Sequence, residues 1–225
     1  MEANEWEKLV QNLIKEGVLR SPRVIETMRR VPREKFLPEN MRYYGAVDTP
    51  LPIGFGQTAS APHMVSIMNE ALQLDVGSRV LEIGAGSGWH AATIAELIAP
   101  KTSPRSEWGH VYTLEIVQEL AEFARKSIMN GGYGDRVSII HGDGSIGYAE
   151  KAPYDRILVT AAAPDVPKPL IDQLKPTGIM LIPVGSLSLF QNLIKITKGT
   201  DGKTKQENLG GVAFVPLTGE YGHQF

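Results

Sequence analysis

Residues 79–88 read RVLEIGAGSG, a short apolar run that carries Glu82 into three glycines at alternate positions, Gly84, Gly86 and Gly88. Glycine admits backbone conformations and close approaches that a Cβ forbids. A glycine turn between a strand and a helix therefore brings main chain against a ligand, and the first amides of the helix opening at Trp89 face the same place. The dinucleotide fingerprint is G-x-G-x-x-G; here the third glycine falls one residue early, as G-x-G-x-G. A turn that merely packs a helix on a strand reads the same way, so the assignment needs companions. Three acids at predicted strand ends supply them. Glu82 suits a cationic amino group at the first turn. Glu115, 27 residues beyond Gly88, can accept from both hydroxyls of a ribose. Asp143, in His141-Gly142-Asp143-Gly144, can accept from an adenine amino group while the Gly144 amide donates to a ring nitrogen. Singly each is an ordinary solvated acid. Together with the glycine turn they favour a nucleoside site.

A second segment, Gln57-Thr58-Ala59-Ser60-Ala61-Pro62-His63-Met64, bears hydroxyls at the start of a helix. Its structural reading makes Ser60 the N-cap, with Pro62 in the first turn of a helix through Leu72. A helix N-terminus of this kind also accepts anions, and a carboxylate substrate fits that description. The two readings are compatible.

These groups need a scaffold, and beyond residue 60 the pattern alternates. Helices are expected at 64–74, 89–99, 117–129 and 167–174; strands are expected at 79–83, 110–115, 136–141, 155–160 and 179–183. Alternation at this spacing implies right-handed crossovers and a mostly parallel, doubly wound α/β sheet. Segments 190–198 and 208–216 are β-rich, and Thr200-Asp201-Gly202 between them is a hairpin signal, so antiparallel strands should close the sheet. Before residue 60, Asn4 and Glu7 suggest a capped helix with an apolar stripe through Trp6, Leu9, Val10, Leu13 and Ile14, ended by Gly17. Ser21-Pro22 opens a second helix. The proline- and glycine-rich stretch 31–56 reads as a long functional loop. The resulting organisation is one domain over 1–225: helices and a substrate loop (1–60), an α/β core (61–185) and a C-terminal β hairpin and tail (186–225).

Composition narrows the alternatives. Hydrophobic residues make up 42% and charged residues 21%, as in ordinary soluble domains. The formal charge is −2 with both signs interspersed, which argues against a broad nucleic-acid or membrane footprint. The absence of cysteine excludes disulfides and thiolate chemistry, and the five histidines show no metal-ligand spacing, so no metal is expected. No G-x-x-x-x-G-K-[ST] is present for ATP hydrolysis. The start, MEANEWEKL, is no signal peptide, and no run approaches membrane-spanning length. A cytoplasmic location and a monomer are the default expectations.

The glycine spacing resembles that of S-adenosylmethionine-dependent methyltransferases. QTASAPHM, HGDGSIGYAEKAPYDRILVTAAAP, LIDQLKPTGIMLIPVG and GGVAFVPLTGEYG narrow the likeness, and from about Gly17 to Tyr221 the chain resembles the protein-L-isoaspartate O-methyltransferase family. That resemblance implies the Rossmann-like methyltransferase fold with its last two strands exchanged relative to other methyltransferases. It implies methyl transfer from S-adenosylmethionine to the free carboxylate of L-isoaspartyl, and more weakly D-aspartyl, residues of damaged proteins. Position by position, Ser60 resembles the active-site serine, and Thr58 and Ala59 flank cofactor and substrate. Glu82, Gly84 and Gly86 fall at the methionine end, Glu115 at the ribose, and Asp143 and Gly144 at the adenine. Val212, Val215, Pro216, Leu217 and Thr218 of the tail would bind the peptide. His63, one turn into the helix after Ser60, reads either as a structural histidine or as a substrate-binding group that helps orient the acceptor. Because isoaspartate differs from aspartate by one main-chain methylene, 210–217 and 47–56 are the segments expected to discriminate them. Rival readings are a dehydrogenase, a methyltransferase of RNA or a small molecule, and a binding module that retains the fold.

Overall fold

A computed structural model describes residues 3–186 and 190–224 of the protein. Two amphipathic helices come first, α1 (Ala3–Lys15) and α2 (Pro22–Arg30). Helix α1 already includes residue 4, so Asn4 is not its cap; the Asn4 side chain lies outside the described residues. The stretch expected as a loop is more ordered than that. It holds two 3-10 turns, Arg33–Phe36 and Glu39–Tyr44, and the strand β1 (Leu51–Gly54), which pairs with β2 (Gln57–Ala59) as an antiparallel ribbon.

Alternation then takes over, in the order α3 (Pro62–Leu72), β3 (Arg79–Ile83), α4 (Trp89–Ile98), β4 (His110–Glu115), α5 (Gln118–Gly131), β5 (Val137–His141), β6 (Tyr154–Val159), α6 (Lys168–Gln173), β7 (Leu174–Gly185), β8 (Gln191–Lys198) and β9 (Thr204–Val212). Seven strands make one sheet in the order β5-β4-β3-β6-β7-β8-β9. The strands from β3 to β7 run parallel; β8 and β9 are antiparallel to their neighbours. The last three strands thus follow chain order outward. Chain progression reverses about β3, which is flanked by β4 on one side and β6 on the other, and ligands in such sheets bind beyond the carboxyl ends of the strands at that switch point.

Each face of the sheet is covered. On one, α1 and α2 pack against α4, every residue of which is buried. The indoles of Trp6 and Trp89 meet edge to face at 6.0 Å, and their nitrogens donate to the carbonyls of Met28 (2.7 Å) and Val31 (2.9 Å), so two large apolar groups are buried with no unpaired donor. On the other face Leu81, Ile157, Leu170, Met180 and Leu217 close a second core.

Two strands differ from expectation by more than two residues. Strand β7 begins at Leu174, five residues early, through an irregular step containing Thr177 at φ +64°. Strand β9 begins at Thr204 and ends at Val212, so residues 213–216 are not strand; they run on as a tail whose Pro216 bridges Ala162. The hairpin turn at 200–202 is present, with the Gly199 amide donating to Lys203 (2.7 Å).

Candidate active site

The glycine turn leaves β3 with Gly84 at φ +96°, in the left-handed region, and a Cβ there would collide with the Thr160 hydroxyl. That hydroxyl donates to the carbonyls of Ile83 and Gly84, both at 2.9 Å, and ties the end of β6 to the turn. A cavity opens above these strand ends. Its wall takes Gly84 and Gly86 from the turn, Glu115 from β4, Gly144 from beyond β5, Thr58 from β2, and Val215, Pro216, Leu217 and Thr218 from the tail. Nine residues from five separate segments therefore meet here; Pro216, Leu217 and Thr218, expected beside the peptide, line this cavity and not the one that holds Ser60. Glu115 is buried; its carboxylate accepts from Gly86 N–H (2.9 Å) and Val117 N–H (3.1 Å), which holds turn and strand end together.

Glu82 and Asp143 are placed differently. Glu82 is fully buried below the turn and is not part of the cavity wall. Neither of its carboxylate oxygens has a hydrogen-bond partner among the described residues. Burial pushes its carboxyl up to about 8; the neighbouring Thr113 hydroxyl opposes that shift and the charge of Glu115 adds to it. The Asp143 carboxylate is not in the wall either. It accepts from Ser145 N–H (2.8 Å) and hydroxyl (2.7 Å) and from Glu220 N–H (2.8 Å), which fastens the tail to the loop after β5. Ala59 is buried and lines neither this cavity nor the next.

A second cavity adjoins the first. Ser60, His63, Met64, Phe190, Gln191 and Val212 line it, and Thr58, Thr160 and Val215 line both. These three residues form the boundary across which any group transfer between the cavities must pass. Ser60 is not the helix cap. Ala61 occupies that position, and the amide of His63 is satisfied from a distance by the Asp48 carboxylate at 2.9 Å. The Ser60 carbonyl accepts from the buried Arg33 at 3.0 Å, and its hydroxyl engages no protein group among the described residues, which leaves it available to a ligand.

Sequence reasoning gave no role to Thr160 or Gln191, and reached Asp48 only as one member of the 47–56 stretch. Thr160 stands at the carboxyl end of β6, where the switch-point rule alone would have placed a ligand-facing residue. Gln191 donates to the Phe214 carbonyl (3.0 Å) and accepts its N–H (2.6 Å), a side chain standing in for a strand partner. No local signal announces either Gln191 or Asp48, because their partners lie 23 and 15 residues away.

A doubly wound sheet with its last strands antiparallel, a glycine cradle open to backbone approach and a rim carboxylate together define an S-adenosylmethionine-dependent methyltransferase of the Rossmann-like class. The residues present fit that cofactor: Gly84, Gly86 and Gly144 present backbone to the cavity beside the Glu115 carboxylate, and the buried Glu82 carboxyl has no partner among the described residues. The sequence profile of the protein-L-isoaspartate(D-aspartate) O-methyltransferase family matches residues 4–222, and the chain belongs to that family. A protein-L-isoaspartate O-methyltransferase of Hyperthermus butylicus is 58% identical over 215 residues, covering 96% of this chain and 89% of its own. One from Thermococcus sibiricus is 53% identical over 97% of this chain and 95% of its own. Among solved structures, a Plasmodium falciparum protein of this description in complex with S-adenosyl-L-homocysteine aligns with a TM-score of 0.83 at 29% identity, over 95% of this chain and 98% of that one.

Proposed function

We propose that the chain methylates the free carboxylate of L-isoaspartyl residues, and more weakly of D-aspartyl residues, in damaged proteins. The observation that carries this reading is the meeting of two cavities at Thr58, Thr160 and Val215, one built around the glycine turn and the other around Ser60, His63 and the tail. S-adenosylmethionine supplies an electrophilic methyl on a cationic sulfur, and an acceptor carboxylate oxygen takes that methyl as the sulfur–carbon bond breaks. An α-carboxyl group ionises near about 3.5, so the acceptor is already a nucleophile at neutral pH and needs no general base. This accounts for a site in which, among the described residues, the Ser60 hydroxyl makes no hydrogen bond to the His63 imidazole.

The protein's part is placement. Ser60 orients the acceptor carboxylate by donating to it, Thr58 and Thr160 flank the transfer path, and Glu115 serves the ribose. Asp143 acts through the tail it fastens. Glu82, whose buried carboxyl has no partner among the described residues, pairs with the methionine amino group and gives up its proton as that cation binds. The methyl ester then loses methanol as the next backbone nitrogen closes a succinimide, and water reopens that ring, in part to aspartate.

The small net charge of −2 and the absence, among the described residues, of any helix long and apolar enough to cross a membrane support a protein acceptor met in the cytoplasm rather than a nucleic acid or a membrane. The test is methyl transfer from labelled S-adenosylmethionine to two synthetic peptides that differ only in L-isoaspartate or L-aspartate at one position. Base-labile label on the isoaspartyl peptide alone supports the reading. Label on neither, with cofactor binding intact, overturns it in favour of a small-molecule or RNA acceptor or a binding module.

A further inference from the structure

His63 is, among the described residues, the only side chain with an ordinary acid or base group that lines the second cavity; the remaining lining is hydroxyl, amide, thioether, apolar or glycine. Its ring is held on one side. Asp48 Oδ1 lies 3.0 Å from His63 Nδ1 and accepts the His63 backbone N–H at 2.9 Å, so one carboxylate oxygen fixes both the start of α3 and the imidazole. Nε2 engages no protein group among the described residues.

Asp48 itself sits in a segment that cannot drift. The buried Arg33 guanidinium donates to the carbonyls of Gly45 (3.1 Å), Val47 (2.6 Å) and Thr49 (2.8 Å) on both sides of Asp48, and to Ser60 (3.0 Å) across the cavity floor. Burial lowers the Arg33 guanidinium to about 10, and the charge of Asp48 opposes that shift. One cation thus sets the Asp48 segment and the Ser60 segment in a fixed relation.

We propose that Asp48 is a positioning residue for the acceptor: by accepting a hydrogen bond from His63 Nδ1–H it presents Nε2 to the second cavity, where the imidazole contacts the bound peptide beside Ser60. A carboxylate on one ring nitrogen fixes which face of a histidine a ligand meets, the arrangement that orients imidazoles elsewhere. The inference rests on the isoaspartyl reading for the identity of the ligand, but not for the geometry.

Two measurements test it. With the isoaspartyl peptide, Asp48→Ala and His63→Ala are each expected to raise peptide KM about tenfold, and the double variant no further, because both remove one coupled contact. Asp48→Asn keeps an oxygen that accepts both N–H groups and should recover most of that loss, while the affinity for S-adenosylhomocysteine stays unchanged in all four. Additive losses in the double variant, or a loss confined to kcat, overturn the proposal. The second measurement needs neither turnover nor a folded Asp48→Ala. Ring ¹⁵N shifts of the wild-type protein, with His63 assigned by its absence in His63→Ala, should show that the neutral ring carries its proton on Nδ1. A proton on Nε2 overturns the assignment whatever the peptide assays give. If the wild type transfers no methyl to the peptide while Nδ1 carries the proton, the isoaspartyl reading fails and the Asp48–His63 arrangement stands.

Discussion

The Glu115 carboxylate and the Gly86 amide are bonded to each other at 2.9 Å across the mouth of the cofactor cavity. The residue that the sequence set aside for a ribose is therefore also the brace of the glycine turn. One oxygen holds Gly86 and the other holds Val117, where α5 begins. Turn geometry and the proposed ribose contact depend on a single side chain, and that coupling fixes what its loss should do.

Glu115→Ala removes a charged acceptor from two backbone amides as well as from the ligand. A hydrogen bond to a charged group contributes about 1.5–3 kcal/mol, so the affinity for S-adenosylhomocysteine should fall roughly ten- to a hundredfold. Glu115→Gln keeps one carbonyl oxygen and should lose less. Isothermal titration calorimetry checks both, and unchanged affinity in the alanine variant would remove Glu115 from the cofactor site.

Glu82 leads to a statement about pH. Its carboxyl is pushed from an ordinary 4.5 up to about 8 by burial, so between those values the folded protein holds a proton that the unfolded chain has released. The group therefore costs nothing below 4.5, and stability is lost as pH rises toward about 8. Glu82→Gln cannot ionise. The melting temperature of the ligand-free variant, taken relative to the parent, should climb through this interval and level off above it. A difference that stays constant with pH would show that Glu82 ionises as an ordinary acid.

These two carboxylates also mark what a sequence can and cannot disclose. The runs at 79–83 and 110–115 became strands with those bounds because buried parallel strands are continuous apolar segments closed by a polar residue. The edge strand β9 was partly missed for the opposite reason: TKQEN is exposed along its length and carries no alternation to read. Ser60 was read as a cap by a local rule, whereas the amide it was meant to satisfy is taken by Asp48, a tertiary contact. Asp143 faced the same problem, since its partner Glu220 lies 77 residues on. The glycines, the hydroxyl segment and the tail residues were legible because close backbone approach restricts residue type at the position itself. The partners that orient them were not, because any acid or amide at the right point in space serves.

Ser60 is the side chain nearest in type to a catalytic group, and its hydroxyl is not consumed by capping. If it orients the acceptor carboxylate, Ser60→Ala should lower kcat on the isoaspartyl peptide about tenfold or more, the worth of a hydrogen bond to a charged group. Binding of S-adenosylhomocysteine should be untouched. Full turnover at saturating peptide would refute the role.

The tail is anchored at separate points, and that separation allows its two duties to be tested apart. Gln191 holds Phe214 by both its N–H and its carbonyl, beside the acceptor cavity. Farther along, Ala162 binds the Val215 carbonyl and the Leu217 amide, each at 2.8 Å, beside the first cavity, and Asp143 binds Glu220. Gln191→Leu releases only the first anchor. It leaves the Phe214 backbone groups without their partner and loosens residues 212–214, so the peptide KM should rise by about tenfold, the cost of losing paired hydrogen bonds at a binding edge. The cofactor KM should change far less, because the Ala162 anchor is backbone and survives. Asp143→Ala should show the reverse order, since it frees Glu220 and Ser145 while Gln191 still grips Phe214. Steady-state kinetics with each substrate varied in turn decides the matter: equal rises in both KM values for Gln191→Leu would mean that the tail moves as one piece and that peptide and cofactor are not read by separate halves of it.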